Sequence, residues 1–135
     1  RLNINVPLTY ITLSDEAGGY DTMEQVRALM QANADNLVYG NGTITNISGG
    51  GIKFMSDDLL ADEIHYLFLR FAIEYRDVSR TVGVVGQIVG VGKTEDKMHN
   101  SYRLRILYKD SRAQELIIRY IFEQERKLRK KELGK

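Results

Sequence analysis

The chain has 135 residues, 43% of them hydrophobic and 27% charged, with a formal net charge of +1, two histidines and no cysteine. That is enough chain for one domain with a real core, and too little net charge to hold nucleic acid through the overall field of the molecule. Lack of cysteine excludes disulfide frameworks, thiolate metal sites and cysteine nucleophiles, and agrees with a cytoplasmic location.

In chain order, Leu2, Ile4, Val6, Leu8 and Tyr10 alternate with polar or small residues. That period reads as a half-buried strand, and Pro7 within it marks an edge or a bulge. A loop from Ser14 to Tyr20 follows, and then Asp21 and Thr22 open a helix in which Thr22 and Gln25 form a capping box. Met23, Val26, Leu29 and Met30 recur at helical spacing, fading near Asn36. Gly40-Asn41-Gly42 reads as a turn or bulge, Thr43-Ile44-Thr45 as a strand, Gly49-Gly50-Gly51 as a corner, and Ile52-Lys53-Phe54-Met55 as the next strand. Asp57 to Glu63 is a loop, Ile64 to Ile73 an apolar strand, and the charged stretch Glu74 to Arg80 a turn.

Val82 to Val91 is a glycine-broken strand, and Tyr102, Leu104, Ile106 and Tyr108 alternate as the last one. Ser111, with Gln114 three residues on, caps a final helix that buries Ala113, Leu116, Ile117, Tyr120 and Ile121 and ends in basic residues. The fold class expected is mainly β: a small antiparallel barrel with a C-terminal helix and an inserted helix near residues 21–35. No apolar run approaches the roughly 18 residues of a membrane helix, and no signal peptide is visible.

Four features invite a functional reading. Asn46-Ile47-Ser48-Gly49-Gly50-Gly51 places an amide and a hydroxyl two residues apart, on one side of a strand, ahead of three glycines. Such an edge suits a polar ligand, because glycine lets backbone N–H groups approach closely. The same residue types also stabilise turns by bonding their own backbone. No general acid, base or metal ligand lies nearby, so the edge reads as recognition rather than catalysis. Gly90-Val91-Gly92-Lys93-Thr94 imitates a phosphate loop, but Gln87 occupies the position of the first glycine and a strand follows, so a hairpin fits better. The basic run Arg126 to Lys131, diluted by Glu123, Glu125 and Glu132, fits a solvated helix end. Ile118 and Phe122 sit one turn apart, on a face that either packs on the core or meets a partner chain.

Taken in order and spacing, these features resemble the PilZ domain family of bacterial cyclic di-GMP receptors. That family carries an RxxxR pair on an N-terminal arm and a [D/N]xSxxG motif one strand later. Asn46, Ser48 and Gly51 fit the second motif, followed by Ile52 and Phe54. Arg1, six residues before Pro7, matches the last arm arginine, and the first falls upstream of Arg1. The similarity runs on through the valine-rich hairpin Val82 to Ile106 and the final helix. Residues 14–36 read as an insertion in a single domain spanning residues 1–135, the C-terminal part of a longer chain.

The resemblance implies a PilZ-like split or Greek-key barrel and a non-enzymatic receptor for bacterial second-messenger signalling in motility or exopolysaccharide regulation. It implies cyclic di-GMP as ligand, no other cofactor or metal, and Arg1, Asn46, Ser48, Gly50 and Gly51 as contacts. The arm is expected to order on binding and to change a surface offered to a partner protein or adjacent domain. Nucleic acid and a membrane span are not expected; a homo-oligomer through the C-terminal helix is left open. The main alternative is a PilZ-like structural or oligomerisation domain that does not bind the ligand, and the second is a nucleotide hydrolase using Gly92, Lys93 and Thr94.

Overall fold

The computed structural model describes residues 2–134. Six strands, β1 (Leu2–Leu13), β2 (Tyr39–Ile47), β3 (Gly51–Ser56), β4 (Tyr66–Tyr75), β5 (Val78–Lys93) and β6 (Asn100–Leu107), form an antiparallel sheet in the order β1-β2-β3-β6-β5-β4. The sheet closes because β1 also pairs with β4, Leu8 opposite Phe71 through Leu13 opposite Tyr66. Two helices complete the fold, α1 (Met23–Ala32) and α2 (Ser111–Leu133).

The alternation read in the sequence becomes an inside and an outside. Leu2, Leu8, Tyr10, Ile44, Ile47, Phe54, Leu67, Leu69, Tyr102 and Leu104 point into one core, with Phe54 stacked on Tyr102 at 5.2 Å between ring centroids. Ile117, Tyr120 and Ile121 of α2 join that core. A smaller cluster forms outside the barrel wall, where Met23 and Val26 of α1 cover Leu13, Ala17 and Val85. Pro7 pairs with β2 only, since the β4 ladder starts at Leu8, and the β1–β2 register slips between Asn3 and Val6. Pro7 thus stands where the β4 ladder ends, as suits a residue without an N–H.

Four expectations are corrected. Gly40-Asn41-Gly42 is no turn but the start of β2. A Cβ at Gly40 would collide with the Tyr10 ring, and one at Gly42 would come within 2.7 Å of Phe54, so the glycines make room for aromatic side chains from neighbouring strands. The Glu74 to Arg80 turn shrinks to Arg76-Asp77, both with positive φ, and the flanking charged residues belong to β4 and β5. Ser14 to Tyr20 contains a short 3-10 helix, Asp15–Gly19. The cap of α2 is Asp110, whose Oδ1 accepts from the Ala113 N–H at 3.0 Å; Ser111 is the first helical residue. The capping box of α1 forms as read, with Thr22 and Gln25 bonded reciprocally.

Candidate ligand-binding site

Asn46 and Ser48 flank Ile47, which is buried in the core, so both neighbours face outward. After Ser48 the chain reverses in a tight turn. The Ser48 N–H donates to the Gly51 carbonyl at 2.9 Å, and the Gly51 N–H donates to Ser48 Oγ at 3.1 Å. The turn is anchored from behind: the Ile106 N–H donates to the Gly50 carbonyl at 2.9 Å and the Tyr108 hydroxyl to the Gly49 carbonyl at 2.7 Å. Burial pushes the Tyr108 phenol up to about 12, so it remains a donor at neutral pH.

None of the described glycines has a positive φ. A Cβ at Gly50 would meet nothing within 4 Å, and one at Gly49 would touch only Ile118 Cγ1 at 3.8 Å. Neither backbone conformation nor internal packing therefore demands glycine at these two positions. At Gly51 a Cβ would lie 3.1 Å from the Leu104 carbonyl, so this glycine serves the close approach of β3 and β6.

An open cavity of about 760 Å³ lies over this corner, with Asn46, Ser48, Gly51, Lys53 and Arg103 in its wall and Asn3, Val89 and Leu104 beside them. Asn46 Nδ2 donates to Asn3 Oδ1 at 2.9 Å, which fixes the amide and leaves its own carbonyl oxygen without a partner among the described residues. Ser48 holds the turn, which is the ordinary turn-building role of its hydroxyl. Gly50 stands exposed at the tip of the turn, outside the cavity wall. Arg1 lies outside the described residues, but its neighbour Leu2 pairs with Ile47, next to both motif side chains.

Two cations complete the wall. Lys53 and Arg103 are opposite each other across the β3–β6 ladder, both exposed. The ion pairs among the described residues are His65–Asp15, His99–Asp57 and Arg119–Glu115, so neither cation has a carboxylate partner there. Arg103 lies across Gly90, at a register slip in β5, where a Cβ would come within 2.6 Å of its guanidinium. Beside it Arg105 donates to Gln87 Oε1 at 2.6 Å. The arrangement offers an acceptor, a hydroxyl, exposed backbone and two unneutralised positive charges on one face, which suits a polar anion. Neither Lys53 nor Arg103 stands out as a site residue in the sequence. The outward phase of Arg103 and Arg105 in the alternating strand was readable, but the Lys53–Arg103 pairing depends on register between distant strands.

The remaining features separate from this site. Gly92 and Lys93 end β5, Thr94 begins the hairpin loop, and Lys93 Nζ donates to Asn100 Oδ1 at 2.8 Å, so no helix N-terminus follows as a phosphate loop requires. Phe122 is 62% exposed and is not core, whereas Ile118 is half-buried against Gly49. No helix among the described residues is long and apolar enough to cross a membrane.

The family model described as PilZ domain matches residues 25–123. The chain belongs to the PilZ domain family. No curated protein matches it. Among solved structures it is similar to "Structure of Bacillus subtilis Inhibitor of motility (MotI/DgrA)", with a TM-score of 0.63 and 12% identity over 92% of this chain and 48% of that one. It is also similar to "PilZ domain with c-di-GMP of YcgR from Escherichia coli", with a TM-score of 0.55 and 14% identity over 97% of this chain and 95% of that one. The chain thus spans about half the length of the Bacillus protein. At these identities the two structures establish the PilZ fold, and the family match begins within α1.

Proposed function

We propose that this chain is a cyclic di-GMP receptor module without catalytic chemistry of its own. The observation that carries the reading is the shared face of the Asn46–Ser48 edge and the unneutralised pair Lys53 and Arg103, in a chain of the PilZ family. The Escherichia coli relative was solved with that dinucleotide.

The ligand has two guanine edges and two phosphates. Asn46 and Ser48 bond a guanine edge, and the uncrowded backbone at Gly50 and Gly51 lets the base approach without side-chain obstruction. Lys53 and Arg103 hold phosphate charge, Arg103 with a planar fork and Lys53 as a point charge. Arg1, at the position of the last arm arginine, adds a guanidinium to guanine O6 and N7 or to phosphate. The arm orders over the ligand when it binds, and that change is read by a partner protein or a neighbouring domain of a cytoplasmic chain. Ile118 Cγ1 stands 3.8 Å from where a Cβ on Gly49 would lie, so the turn neighbours α2, whose exposed Phe122 stands on a surface open to such a partner or to a second copy.

Calorimetry with cyclic di-GMP on the full chain, compared with Asn46→Ala/Ser48→Ala, tests the reading. Loss of binding in the double variant with the fold retained is expected. Unchanged affinity in that variant, or no binding by the wild-type chain, would refute it.

A further inference from the structure

A second cavity, of about 580 Å³, lies on the other side of the barrel, between α1 and the outer wall of β4 and β5. Its floor is apolar, formed by Ile11, Met30 and Phe68, and Tyr39 stands at its rim, 66% exposed. The tip of the Phe68 ring reaches over Gly83, where a Cβ would come within 2.7 Å of it. Arg27 of α1 and Arg70 of β4 line the same cleft, and neither takes part in an ion pair among the described residues. Apolar area walled by free guanidiniums and an exposed tyrosine has the composition of an interface centre, where tyrosine and arginine are over-represented. Charge complementarity selects the occupant, since a guanidinium fork prefers a carboxylate and the floor prefers an aromatic or branched side chain.

We infer that this cleft docks a partner-protein segment in which an apolar side chain is flanked by carboxylates. The segment lays its apolar side chain over Phe68 and Met30 and pairs its acids with Arg27 and Arg70. The inference supplies a chemistry for the partner contact proposed above, and it stands on residues that take no part in the dinucleotide site. The two cavities share β1, β2 and β5, which run from Asn3, Asn46 and Val89 at one to Ile11, Tyr39 and Gly83 at the other.

The test is an NMR titration of the ¹⁵N-labelled chain with a capped heptapeptide that alternates glutamate with leucine around a central phenylalanine, and with its glutamine counterpart. The acidic peptide is expected to shift the amides of Arg27, Met30, Phe68 and Gly83. Its affinity is expected to fall about tenfold or more in Arg27→Gln/Arg70→Gln, given roughly 1.5–3 kcal/mol for a hydrogen bond to a charged group. Thermal melts check that the double variant folds, as expected from two exposed, unpaired side chains. Repeating the titration in Asn46→Ala/Ser48→Ala should change nothing, which separates this inference from the dinucleotide reading. Equal binding of the glutamine peptide, an unaffected double variant, or no shifts at those amides would overturn it. So would full affinity for 4-phenylbutyrate alone, which would assign the cleft to a small organic acid.

Discussion

Replacing Lys53 with methionine should move stability and ligand affinity in opposite directions. Lys53 and Arg103 are a directly opposed cross-strand pair of like charge, with no carboxylate partner among the described residues. Like charges in that position destabilise a sheet by about 0.2–1 kcal/mol. At roughly 4 °C per kcal/mol for a chain of this size, Lys53→Met should raise the melting temperature by about 1–4 °C. The gain should shrink in high salt, where exposed charges are screened. Removing a phosphate contact at an exposed wall should meanwhile weaken cyclic di-GMP about tenfold, the lower end for a hydrogen bond to a charged group. A cycle with Arg103→Met isolates the pair from packing changes and should give a coupling energy opposite in sign to that of a salt bridge. Differential scanning calorimetry and titration calorimetry read the two effects. A lower melting temperature together with unchanged affinity would refute the assignment of this pair as a site that sacrifices stability for binding.

Three further outcomes rest on other parts of the fold. Gly50→Ala, with open space around its Cβ and no positive φ, should leave stability within about 0.5 kcal/mol by chemical denaturation and yet weaken the dinucleotide; equal affinity would remove Gly50 from the site. Asp58→Ala should destabilise the fold by about 0.5–1.5 kcal/mol, because the Tyr10 hydroxyl, at the part-buried end of a core side chain, donates to Asp58 Oδ2 at 2.9 Å and would lose that acceptor; a urea midpoint equal to wild type would contradict this. Asp110→Ala should cost about 1 kcal/mol as the loss of a helix cap, while Ser111→Ala should cost less than half of that; the reverse order in denaturation would restore Ser111 as the cap.

The barrel was legible where one strand carries its own evidence. Leu2 to Tyr10 and Tyr102 to Tyr108 alternate because one face of each strand meets the core, and that pattern needs no knowledge of the neighbouring strands. The α1 capping box is equally local. What escaped was set by partners remote in sequence. Gly40 and Gly42 look like turn residues until Tyr10 and Phe54 are seen filling the space above them. The two-residue turn at Arg76-Asp77 lacks the usual asparagine and glycine, so the charged stretch around it read as one long turn. The Asn46, Ser48 and Gly51 group was visible as a contiguous motif, whereas Lys53 and Arg103 meet only through the β3–β6 register.

The most direct test of the central claim is a residue-resolved NMR titration of the full chain with cyclic di-GMP. The account predicts that the amides of Asn46, Ser48, Gly50, Gly51, Lys53 and Arg103 shift together and saturate with one affinity, while Arg27 and Phe68 stay in place. Saturable shifts centred on the α1 cleft, or a corner that stays silent at saturating ligand, would contradict it.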